Sequence, residues 1–100
     1  MSTREEYLDK LNDRMKKLDA QIDALEGKAR AAKVDVEISA KEALTKARVK
    51  RDELRSRFSA AKQGGDSAWE EMKRGLDSAW SELSSACERA KERFSATAGQ

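Results

Sequence analysis

Catalysis needs a converging nucleophile, base and orienting group, and this chain is poor in all three. It has no histidine and a single cysteine, Cys87. Without imidazole the usual proton shuttle near neutral pH is missing. One cysteine cannot close an intramolecular disulfide, and a zinc site lacks its usual ligands. Cys87 holds the same place in a repeated unit as Leu76, so it reads as a small buried hydrophobe and not a reactive thiol. The carboxylates alternate with Lys and Arg, as on a solvated helix face, and Gly64-Gly65 lacks the strand and motif of a phosphate loop. The expectation is no catalytic, cofactor or metal site, and no enzyme.

Two stretches have a composition suited to binding. The segment KARVKRDELRSR (46–57) carries six Lys and Arg against Asp52 and Glu53. A nucleic-acid surface would group such charges on one face beside an aromatic stacking platform. Here they spread around a helix with no aromatic among them, so a solvated face is the better reading. A net charge of +2 also gives no global field for nucleic acid or membrane.

The second stretch is SAWEEMKRGLD (67–77) followed at once by SAWSELSSACE (78–88), an eleven-residue unit written twice. Ala68, Ala79 and Ala90 share a position, as do Trp69 and Trp80, and Met72, Leu83 and Phe94. Eleven residues make three turns of 3.67, a nearly straight apolar stripe. Such helices also lie on lipid surfaces, where tryptophan is favoured. From residue 67 to 94, however, five basic residues face six acidic ones, so anionic lipid gains nothing electrostatically. Lipid contact ranks second, behind packing against protein.

The elements that must carry these residues are helical. Charged residues are 40% of the chain, hydrophobic ones 38%, and proline is absent. Such a composition suits either disorder or long helices, and periodicity decides for helices. Thr3 with Glu6 fits a capping box. Leu8, Leu11, Met15, Leu18, Ile22, Leu25, Ala29, Ala32 and Val36 then follow at alternating steps of three and four, an unbroken a/d seam. Pairs four apart, such as Asp13 with Lys17 and Glu53 with Arg57, support the exposed face. The stripe continues through Ala40, Ala43 and Leu44, Ala47, Arg51, Leu54, Phe58 and Ala61.

Gly27 costs helix stability, yet the apolar phase is kept across it, so the helix is expected to continue; a three-helix chain bent at Gly27 is the alternative. After Val36 the phase slips by a stutter. Ala31, Val34 and Ile38 there widen the apolar surface nearly all round, which predicts a junction touching several neighbours. The Val34-Val36-Ile38 alternation would suit a strand, but helical pattern flanks it on both sides.

The one clear break is Lys62-Gln63-Gly64-Gly65-Asp66-Ser67. A glycine there can take the left-handed conformation that closes a helix, and Ser67 with Glu70 caps the next. The expectation is therefore all-α: a single domain over 1–100, with helix 1 at about 3–62, a turn at 63–66, and helix 2 at about 67–96. At 1.5 Å per residue the helices would be about 90 and 45 Å long, forming an antiparallel hairpin. Its core would be Val36, Ala47, Leu54, Phe58, Trp69, Met72, Leu76, Trp80, Leu83, Cys87 and Phe94, with Leu76 facing Leu54 and Leu83 facing Ala47.

Helix 2 would then leave the seam from Leu8 to Ala32 uncovered, and a bare apolar stripe is an association site. Leu8, Leu11, Met15, Leu18, Ile22, Leu25, Ala29 and Ala32 are thus expected to form a homo-oligomer interface, most simply in a dimer, with an unidentified protein client as a further partner. The opening MSTREEYLDKLN has no apolar core, so no signal peptide is expected, and the expected location is cytoplasmic.

The segments REEYLDKLNDRMKKLDAQIDALE, KVDVEISAKEALTKARVKRDELRSR and above all SAWEEMKRGLDSAWSELSSACERAKERF resemble a family of small bacterial coiled-coil stress-response proteins of uncharacterised function. The resemblance runs over nearly the full length, and its most specific words are W-E-x-x-K-x-G and A-W-x-E-L. It implies a soluble bacterial helical protein linked to stress, with no catalytic residues to carry over. Gly27 departs from it where an alanine would be expected.

Overall fold

The computed structural model describes residues 3–31 and 38–98, with side chains at all of these except 31, 66 and 96–98. Helix α1 spans Thr3–Ala31, α2 spans Ile38–Gln63, and α3 spans Trp69–Ala98 after a 3₁₀ turn at Asp66–Ala68. The protein is all-α, and no strand occurs among the described residues.

A continuous helix from 3 to 62 is not what forms. On such a helix Glu26 and Arg48 would stand about 33 Å apart, yet Arg48 Nε lies 2.6 Å from Glu26 Oε1. Arg55 likewise reaches Asp19 at 2.6 Å. Rising numbers on α1 meet falling numbers on α2, so the two run antiparallel. The helix passes through Gly27 as expected, and the alternative bend there is not used, since α1 runs on to Ala31. Ala32, Val34 and Val36 lie outside the described residues, between the two helices and where the heptad phase slips.

Contacts to α3 complete an up-down-up bundle. Tyr7 lies beside Trp69 and Asp77, and Arg14 beside Trp80, so α1 and α3 run parallel. Lys50 reaches Glu82, while Arg57 lies over Gly75, so α2 and α3 run antiparallel. Helices of 29, 26 and 30 residues are about 39–45 Å long. These lengths are matched closely enough for each to cover the others, and the molecule measures 52 × 19 × 17 Å.

The seam assigned to an intermolecular interface is instead internal. Leu8, Leu11, Met15, Ile22 and Leu25 are buried within one chain, and Leu18 and Ala29 pack half-buried against the same core. From α2 the core takes Ala40, Ala43, Leu44, Ala47, Leu54 and Ala61. From α3 it takes Leu76, Ala79, Leu83, Ala86, Cys87, Ala90 and Phe94. Phe58, Trp69, Met72 and Trp80 are half-buried at its edge. Alanine on both sides lets α2 and α3 approach closely along their length, while the Leu, Met and Ile of α1 hold it further off.

Two further expectations are revised. Neither Gly64 nor Gly65 takes a positive φ, so the α2–α3 connection does not use the left-handed closure. The Gly64 amide donates to the Ala60 carbonyl at 2.9 Å, and a Cβ at Gly64 would meet Met72 Cε at 2.7 Å. Gly64 gives room for the Met72 side chain, and its φ is an ordinary one. Ile38, placed by the sequence in a crowded junction, is 74% exposed.

Gly27 sits mid-helix with nothing within 4 Å of an added Cβ. Gly27→Ala is therefore expected to stabilise the fold by about 0.5–1 kcal/mol through helix propensity and a less disordered unfolded chain. Thermal unfolding followed by circular dichroism checks this; an unchanged or lower midpoint would mean the position does not need a regular helix.

Candidate functional site

Cys87 is 2% exposed on the inner face of α3. Burial pushes its thiol pKa up, and the charges of Glu88 and Asp19 add to this. A raised pKa removes thiolate, the reactive form. In the native protein a thiol-labelling reagent should modify Cys87 at least about a hundredfold more slowly than in denaturant, because labelling must await opening of the bundle. Rapid native labelling would contradict this packing.

The two tryptophans are spent on α1. The ring of Trp69 meets Tyr7 edge-on, with centroids 5.4 Å apart and planes at 77°, a favoured aromatic geometry. The guanidinium of Arg14 lies 6.0 Å from the Trp80 ring centroid. Tyr7 donates its hydroxyl to Asp77, and Lys73 lies over its ring. Burial, then the hydrogen bond and charge of Asp77, raise the Tyr7 pKa far above its ordinary value. Both indoles are half-buried and act as a clasp between the parallel helices.

The basic segment 46–57 has a structural use that the sequence reading missed. Arg48 pairs with Glu26, and Arg55 pairs with Asp19. Arg51 lies 3.7 Å from Asp19 and 3.3 Å from Asp52. The hydrogen bond from Arg48 is the main reason the Glu26 pKa is lowered. A signal was present: Asp19 and Glu26 are seven residues apart, and so are Arg48 and Arg55. These are flanking charges of two antiparallel heptad seams. Arg51, an arginine in the apolar stripe of α2, is only 18% exposed at its side chain because α1 covers it. Partly exposed pairs of this kind are worth at most about 1 kcal/mol each, so they select the register more than they hold it.

What remains open is the groove between α2 and α3. Its widest part is about 550 Å³, with Ala43 and Val49 among its apolar lining and Lys46, Lys50, Arg89 and Arg93 among its cations. Lys50 is engaged by Glu82 at 3.2 Å and Glu53 at 3.7 Å. The Glu82 hydrogen bond, then the Glu53 charge, raise its pKa. Lys46 and Arg89 line two adjoining stretches of the groove and form no ion pair among the described residues. Val49 is 49% exposed, and it and Ile38 are the only exposed large hydrophobics among the described residues. They are eleven residues apart on α2, three turns along one face.

The sequence did not single out this surface, because Ile38 was assigned to a junction and Lys46 was grouped with the arginines. Among the described residues no helix is long and apolar enough to cross a membrane, and no cluster of His, Cys, Asp or Glu suits a metal ion. Comparison with protein-family models, with curated proteins and with solved structures finds no match to this chain.

Proposed function

We propose that the protein is a non-catalytic interaction module, a helical hairpin of α2 and α3 braced by α1, whose open α2–α3 groove receives a helix from a protein partner. The observation that carries this reading is the pairing of Ile38 and Val49 with two unpaired cations on one face. The other described large hydrophobics are at least partly buried within the chain. Exposed apolar residues on a helix, beside a groove of this width, fit the helix-in-groove mode of recognition. A stress-linked role rests on the family resemblance alone, whose most specific part is the tryptophan segment.

Lipid binding through Trp69 and Trp80 loses its support, since both indoles face α1. Nucleic-acid binding through 46–57 loses its strongest cations to Asp19 and Glu26.

Backbone NMR with added amphipathic helical peptides tests the proposal. The expected result is shifts concentrated at residues 38–50 and 82–93. Shifts centred on the Tyr7 and Trp69 side would move the site to the α1–α3 face. No shifts with any peptide would end the reading.

A further inference from the structure

Resting on that reading, we infer that the partner helix is acidic: an amphipathic helix that lays apolar residues on Val49 and Ile38 and aims carboxylates at Lys46 and Arg89. The first argument is charge. The Lys46 ammonium on α2 and the Arg89 guanidinium on α3 line the same groove from opposite helices. Neither is neutralised by a described carboxylate, while Arg48, Arg51, Arg55 and Lys50 all are. Glu42 is the one carboxylate lining the wide part of the groove. Glu82, on the adjoining stretch, is held by Lys50, and Glu88 and Glu92 line a separate hollow with Arg89. The local excess is positive, and a partner with carboxylates on both flanks of an apolar stripe would neutralise it from both sides.

The second argument is precedent inside the chain. The opposite side of α2 already receives a helix in this way, with Leu and Ile of α1 on the apolar floor and Asp19 and Glu26 on flanking arginines. A helix on the α2–α3 groove would repeat that chemistry and make a fourth member of the bundle. Spacing agrees: Ile38 and Val49 span about 16 Å of α2, so a partner helix needs about three turns to touch both.

Other occupants fit less well. A second copy docked face to face would bring the same net-positive groove against itself. A duplex would leave Ile38 and Val49 without apolar contact, and a planar lipid surface meets a convex face better than cations set around a concave groove.

The test uses two synthetic peptides of about eighteen residues with the same apolar stripe, one flanked by Glu and the other by Lys, titrated into the full chain. The Glu peptide should bind at least about tenfold more tightly and lose affinity as salt rises. In the Lys46→Glu, Arg89→Glu double variant the preference should reverse. Val49→Asp should abolish binding of either peptide while circular dichroism stays native, since Val49 is half exposed.

Equal binding of both peptides, sensitive to Val49→Asp, would overturn the acidic partner while leaving the groove as a helix site. Binding of neither would overturn both. Self-association of the protein alone, or adsorption to anionic vesicles, would overturn the acidic helix if either is abolished by Val49→Asp.

Discussion

Ile22→Glu should release α1 from the rest of the chain. Ile22 has no exposed surface, so the change removes a buried side chain worth about 2–5 kcal/mol. It also buries a carboxylate that costs several kcal/mol more. Together these rival the whole stability of a small domain, about 5–15 kcal/mol. The expected readout is loss of the cooperative thermal transition and a red shift of tryptophan emission, because Trp69 and Trp80 lean on Tyr7 and Arg14 of α1. The wild-type unfolding midpoint should stay constant over a hundredfold range of concentration, since the seam is closed within one chain. A midpoint that climbs with concentration would show the seam to be intermolecular after all.

The second large effect lies at the α2–α3 interface. Leu83 is 1% exposed, and Leu83→Ala should cost about 2–5 kcal/mol through lost burial and the cavity left behind. For a domain of this size that is a fall of roughly 10–30 °C in the unfolding midpoint. Val49→Ala provides the contrast: the half-exposed Val49 should shift stability by no more than about 0.5 kcal/mol while weakening any helix bound in the groove. Similar losses at both positions would contradict the burial pattern.

Much of the architecture can be read from the residues alone. Heptad spacing from Leu8 to Leu25 and the hendecad from Trp69 to Ala90 lie on faces turned to the core. The glycine pair marks the end of α2 to within a residue or two. Cys87 as a packing residue follows from its alignment with Leu76, and both are buried. Less legible was the end of α1. Apolar phase carried across Gly27 was sound evidence that the helix passes through it, and α1 does so. The phase slip after Val36 reads as a stutter within one continuing helix, yet α1 ends at Ala31.

The sequence by itself determined that the chain is helical, which faces of the helices are apolar, and that catalytic chemistry has no histidine to draw on. Those properties are local: period, propensity and composition act within a few turns. Only the tertiary structure decided what covers the N-terminal seam, because an a/d stripe looks the same whether its partner is another chain or its own. Asp19 and Glu26 meeting Arg55 and Arg48 in reverse order settle that choice. Once α1 takes those arginines and both tryptophans, Lys46 and Arg89 remain as groove-lining cations with no ion pair among the described residues.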